Sequence, residues 1–215
     1  MKNLKNFFRR FYPATKRLLR SYWPILAIIA IVFAFFWKFF LKGLVPIPAD
    51  IVVGMYFPWL DYKWDYVVGV PVKNPFISDP VATTYLWREY AVALFKTGTV
   101  PLWNPLILSG TPLLANIEAA VFSPFNLFYL FLNNIDAWSL GIIFQPLFAG
   151  IFMYIFLRNL CLKKLSSLLG AIIFSFCGIM TIWLMIGVNN QTFLWLPLVL
   201  YGIDKIIVRP SYKNF

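Results

Sequence analysis

The 215-residue chain contains no histidine. That removes Ser-His-Asp and Cys-His hydrolysis, His-based zinc sites and haem ligation by histidine. Charge is scarce too: Asp, Glu, Lys and Arg make up 13% of the residues, against roughly 25% in soluble domains. So few charged groups cannot cover a soluble fold, and the solvent for much of the chain is expected to be lipid. The two cysteines, Cys161 and Cys177, fall at the edge of one expected span and inside another. They read as small packing residues rather than as a disulfide. No fixed-period repeat, low-complexity tract or glycine-rich phosphate loop is present.

What the chain does have is apolar sequence, 61% of the residues, with a mean hydropathy of +0.75. The net charge of +11 could suggest nucleic acid as a partner, but its distribution argues against that. Seven of the 19 basic residues lie in the first 20 positions, where there is no acid. This is the pattern of a cytoplasmic tail beside anionic lipid. Residues 1–22 form this basic tail, either as an amphipathic helix on the membrane surface or as a disordered segment; Pro13 would interrupt a continuous helix.

The expected fold is all-α, a polytopic membrane helix bundle with a long, partly helical first external loop. The first span is residues 23–44, read as a retained anchor because no small-x-small cleavage site follows it. Residues 45–136 form the external loop with interfacial helices, and residues 137–208 form three further spans, at Ala137 to Leu157, Leu165 to Gly187 and Thr192 to Val208. Residues 209–215 are a cytoplasmic end, and the short length suggests a fragment of a larger protein. Ala119 to Leu132 is apolar but shorter than the about 20 residues a spanning helix needs. A shallow external helix there places the basic loop of Arg158, Lys163 and Lys164 inside, as the charge rule favours. Both ends are then cytoplasmic and the first loop extracytoplasmic.

Six of the eight acids lie in residues 45–118. Within this segment Asp79 to Lys96 predicts a helix. Asp79 suits its N-cap, Pro80 its first position, and Gly98 its stop. Val81, Tyr85, Leu86, Tyr90, Ala93 and Leu94 recur at helical spacing as its apolar face. PLWNP and SGTPLLAN follow as rigid turns.

Asp50 directly follows the first span. An acid at the outer mouth of a helix bundle can serve as a general base, although a solvated carboxylate at the membrane edge is the simpler reading. Asp79 is already explained by capping. Together Asp50 and Asp79 could hold a divalent metal ion, the one cofactor these residues suggest; the sequence does not show that they meet. Arg88 could grip a lipid phosphate or make a salt bridge. Trp103 could stack on a sugar, though aromatic residues are common at membrane interfaces. Asn104, Asn116, Glu118 and Asn189 are polar groups that could converge outside the bundle, or simply shape turns.

The order of one span, PADIVVGMYFPW, SDP, and FKTGTVPLWNPLILSGTPLLANIEAAVFSPFNLFYLFL resembles the N-terminal part of YfhO-type bacterial membrane proteins, over roughly residues 23 to 205. These in turn resemble the GT-C class of membrane glycosyltransferases. The resemblance implies transfer of a sugar from a polyprenyl-phosphate donor to a glycan, lipid or protein acceptor outside the bacterial cell membrane. It assigns Asp50 as base, Asp79 as auxiliary or metal ligand, and Arg88 as the balance for the donor phosphate. The absence of an adjacent acidic pair departs from the GT-C pattern. The competing reading is a non-catalytic membrane protein that transports or assembles lipid-linked glycans.

Overall fold

A computed structural model describes residues 22–208. The basic tail, with its amphipathic or disordered alternatives, and the residues after Val208 lie outside the described residues. The fold is all-α apart from one two-residue ladder. The first apolar stretch forms α1 (Tyr22–Phe35) and α2 (Trp37–Lys42). They are separated only by Phe36, and the backbone turns at Gly43, whose N–H bonds the carbonyl of Phe39.

A short helix α3 (Ala49–Met55), the loop helix α4 (Tyr85–Lys96) and a one-turn α5 (Phe128–Phe131) precede the longest element, α6 (Asn134–Asn159). Asn133 caps α6 by accepting from the Asp136 backbone N–H at 2.8 Å. Its 26 residues exceed the about 20 needed to cross the hydrocarbon core. Packed against α6 is α7 (Lys164–Ser175). Then come the short helices α8 (Gly178–Ile182) and α9 (Asn189–Phe193), and finally α10 (Leu196–Val208). Asn189–Val208, α9 and α10 together, is also long and apolar enough to span.

The stretch expected to be one span, Leu165 to Gly187, is broken. Helix α7 stops at Ser175, Cys177 is extended (φ −64°, ψ 164°), and α8 ends by Ile182. Two local bonds favour the break. Ser175 Oγ donates back to the Ala171 carbonyl at 2.9 Å, and Thr181 Oγ donates to the Cys177 carbonyl at 2.6 Å beside the Thr181 N–H at 3.0 Å; such back-bonding four residues upstream bends and weakens a helix. Met180 is thereby buried with Phe125, Ala149 and Leu194. Ala119 to Leu132 is not one helix either. It forms turns, a 3-10 turn at Pro124–Leu127 and α5.

The main core joins Ile28, Val32 and Phe36 to Trp138, Ile142, Ile143, Leu147 and Tyr154 of α6, and to Leu168 and Ala171 of α7. The helices approach closely at Gly150, where an added Cβ would lie 2.6 Å from Ser175 Oγ and 3.0 Å from Ile28 Cγ2. Small residues permit such contact between apolar helices, for which lipid supplies no hydrophobic driving force. Gly150→Leu is expected to split α1 from the α6–α7 pair. The check is the thermal midpoint of the detergent-solubilised protein, lowered by an overpacking cost of about 1–3 kcal/mol; an unchanged midpoint would contradict this junction. At the C-terminal end of α6, the Asp204 carboxylate accepts from Asn159 Nδ2. Lys205 sits over the Tyr201 ring.

Candidate functional site

A π-turn at Pro80–Thr84 leads directly into α4, with Pro80 in the first turn as expected. Gly98 adopts a positive φ of 77° just past its end, which an L side chain would resist. The capping role of Asp79 is not realised. Asp79 has helical dihedrals and its side chain makes no capping bond. The Val81 and Ala82 N–H groups bond the Ser78 carbonyl instead, because the helix starts one residue earlier than the Asp-Pro pair suggested.

The inward face of this segment matches the expected one in part, since Tyr85, Tyr90 and Leu94 pack against the cores. Thr84, Arg88, Ala91 and Val92 face inward, while Leu86 and Ala93 are exposed. The inward stripe therefore carries a charge. Arg88 is 2% exposed. Its guanidinium lies 5.7 Å from the Trp138 ring centroid, and Nη2 makes a long 3.5 Å contact with Gln191 Oε1. Tyr129 is its other polar neighbour. None of these groups is an acid. Burial pushes the Arg88 pKa down from its ordinary value, and Tyr129 partly offsets this; a guanidinium still remains charged at neutral pH. Burial likewise raises the Tyr129 pKa, opposed by Arg88, so the phenol stays protonated.

Gln191 ties this charge to open space. Its Oε1 also accepts from Ser123 Oγ at 2.8 Å. Gln191 and Ser123 line a cavity of about 390 Å³ together with Asn116, Val188, Thr192 and Trp195. A second cavity of about 520 Å³ adjoins at Ser123 and Pro124, with Val92, Phe95 and Asn126 in its wall. A nearly wholly apolar groove of about 270 Å³ continues from Pro124 and Trp195 along Phe128, Phe148 and Phe152. The rings of Phe128, Phe144, Phe148, Phe152 and Trp195 follow one another at centroid spacings of 5.3, 5.5, 5.8 and 5.3 Å.

Asp50 lies in α3, and its Oδ2 accepts from the Lys73 backbone N–H at 2.9 Å. Helix α3 packs on the π-turn that follows Asp79, and the Pro46 carbonyl just before it accepts from Trp138 Nε1 at 3.4 Å. Trp138 thus stands between the Asp50 segment and Arg88. Asp79 itself is exposed. Among the described residues no cluster of three or more His, Cys, Asp or Glu could hold a metal, and one Asp50 oxygen is already bonded to the loop.

The remaining expected site residues divide. Asn116 lines the cavity, and its Oδ1 accepts from Glu118 N. Glu118 accepts from Thr83 Oγ at 3.3 Å, which ties this turn to the start of the loop helix. Trp103 and Asn104 form strand β1 (Trp103–Asn104), paired with β2 (Thr111–Pro112). Asn104 is buried and accepts from Leu106 N, while Trp103 is half exposed and covers Gly110. Both build the turn, and neither lines the cavity. Asn189 does not line the cavity either; Gln191, two residues on, does. Gln191, Ser123, Tyr129 and Trp138 were not legible as site residues, since a Gln in a turn-like VNNQ and a Tyr in an apolar run carry no local signal.

The model of a family described as bacterial membrane protein YfhO matches residues 120–215. No curated protein and no solved structure matches the chain. The matched stretch contains Ser123, Tyr129, Trp138 and Gln191, while Asp50, Arg88 and the PLWNP turn precede it. Over residues 120–215 the chain is therefore similar to the YfhO family of bacterial membrane proteins.

Proposed function

We propose that the chain is a membrane glycosyltransferase, or the N-terminal part of one, that moves a sugar from a polyprenyl-phosphate donor to an extracytoplasmic acceptor. The supporting observation is the buried Arg88, which has no acid among its polar neighbours and is joined through Gln191 to a cavity that continues into an apolar groove. A lipid phosphate matches both parts: the anion satisfies the guanidinium and the chain the groove. Asp50 takes the proton of the acceptor hydroxyl as its oxygen attacks the sugar carbon. The bond from that carbon to the donor phosphate oxygen breaks, and the electron pair stays on the phosphate, whose charge Arg88 balances. Asp79 serves as an auxiliary group in this reading.

Asp50→Asn retains an oxygen that can accept from Lys73 N, so the loop anchor survives while the base is lost. Transfer from a radiolabelled polyprenyl-phosphate sugar in membranes carrying the variant should fall by about 10²–10⁴-fold. Undiminished transfer at equal protein level removes Asp50 as the base.

The buried polar side chains Gln145 and Asn190, with the break between α7 and α8, favour a second reading. Discontinuous helices and polar groups inside a bundle are also features of transporters. A chain that moves a lipid-linked glycan across vesicle bilayers without transferring its sugar fits that reading instead.

A further inference from the structure

A cavity of about 470 Å³ lies at the C-terminal end of α6, lined by Asn159, Leu160, Cys161, Asp204, Lys205 and Val208. It shares no lining residue with the cavities at the external loop. Helices α6 and α10 pack on one another, and the C-terminal turns of both form its walls. Helix α6, and α9 with α10, are long and apolar enough to span. Their shared end is therefore a membrane boundary, where apolar helix gives way to headgroups. The α6–α7 connection beside it carries Arg158, Lys163 and Lys164, and the charge rule favours the cytoplasmic side for such a connection.

Two opposite charges line this one cavity. Consecutive residues on a helix do not face each other, and Asp204 and Lys205 turn to different neighbours. Asp204 accepts from Asn159 Nδ2 through Oδ2, which leaves the capacity of Oδ1 for a further donor. Lys205 lies over the Tyr201 ring one turn back, its Nζ 5.4 Å from the centroid. An ammonium on a ring face still has N–H groups to give. Both residues are half-buried. The last carbonyls of α6 add partial negative charge on the Asn159 and Asp204 side. The cavity is thus negative along one wall and positive along the other.

A lone anion here would meet the Asp204 carboxylate. A metal ion would find too few ligands: among the described residues no group of three or more His, Cys, Asp or Glu could hold one. A molecule that carries both charges satisfies both walls at once. We infer that the cavity binds the zwitterionic headgroup of a phosphatidylethanolamine from the adjoining leaflet. Asp204 takes its primary ammonium and Lys205 its phosphodiester. Leu160 and Val208 are exposed apolar walls, against which the glycerol end of the lipid lies. The inference uses no residue of the site proposed above and holds whether or not the chain transfers a sugar.

The test titrates the whole chain in detergent with dioctanoyl phosphatidylethanolamine. Dioctanoyl phosphatidylcholine and phosphatidylglycerol are the comparison lipids. The first has the same charges but no N–H on its ammonium, and the second has the phosphate without the ammonium. The parent should bind the ethanolamine lipid about tenfold or more tighter than either, the value of one charge-assisted hydrogen bond. Asp204→Asn keeps an oxygen for Asn159 and should bring the two zwitterionic lipids to the same affinity. Lys205→Met should weaken both of them and leave their ratio as in the parent. An Asp204 that only ties α10 to α6 predicts instead a lowered thermal midpoint with all three lipids affected alike. A parent that binds either comparison lipid as tightly as the ethanolamine lipid overturns the inference, whether or not the variants fold. So does an Asp204→Asn variant that keeps the ethanolamine preference. Free O-phosphoethanolamine that competes as well as the lipid overturns the assignment to a membrane lipid.

Discussion

Arg88→Met is expected to make the protein more stable and to abolish its binding of lipid phosphate. Arg88 is almost fully buried, with an amide, a phenol and an indole around it and no carboxylate among them. Taking an ion out of water costs several kcal/mol even after relaxation, and a partial contact with an amide oxygen does not recover that. Replacing buried charges by apolar side chains of similar volume is often neutral or stabilising by about 1–4 kcal/mol. In a chain of this size each kcal/mol moves the midpoint by roughly 2–4 °C. Methionine matches the arginine stem in shape and flexibility. Gln191 would still accept from Ser123, so its oxygen would not be orphaned. The measurement is thermal unfolding in detergent alongside farnesyl phosphate binding. A midpoint lowered by several degrees would show that the surrounding groups compensate the charge, and the case for a ligand there would collapse. A stabilised variant with no binding would show stability given up for function.

Trp138→Ala should produce the largest loss of stability of any single change in the site. Its side chain is 1% exposed and belongs to the main core. It meets the Tyr85 ring edge-on at 5.6 Å, carries the Arg88 guanidinium on its face, and donates to the Pro46 carbonyl. Removing it creates a cavity and releases three elements at once: the Asp50 segment, the loop helix and α6. Buried Trp→Ala changes cost about 3–5 kcal/mol, which corresponds to a drop of order 10 °C in a chain of this size. Trp138→Phe keeps an aromatic face under Arg88 and loses only the Pro46 bond, so its drop should be well under half as large. Equal drops for the two variants would show that the indole hydrogen bond, rather than the packing, holds the junction. Limited proteolysis between α2 and α3 should accelerate in the alanine variant, because the Pro46 anchor of that connection is gone.

The sequence by itself determined the solvent and the helices. Few charges and long apolar runs pointed to lipid as the solvent, and 3.6-residue spacing with Pro80 and Gly98 placed the loop helix from composition and local geometry. α6 was legible for the same reason, as was the failure of Ala119 to Leu132 to form a spanning helix: it is short and carries Pro124 and Asn126. These are properties of a few neighbouring residues and of the medium around them.

Only the tertiary structure decided which face of the loop helix is buried. Apolar spacing pointed to Val81, Tyr85, Leu86, Tyr90, Ala93 and Leu94, of which Tyr85, Tyr90 and Leu94 do pack on the cores, but the Trp138 ring and the Gln191 oxygen, both far away in the chain, also draw Arg88 inward. It also decided that α7 stops at Ser175, where side-chain bonds to nearby carbonyls compete with a continuous helix. It decided, finally, that Gln191 rather than Asn189 lines the cavity. A neutral amide in a turn-like run has no meaning until a buried charge is beside it, and that pairing joins residues 103 apart in the chain. Contacts of that range depend on how whole helices pack, which local sequence does not encode.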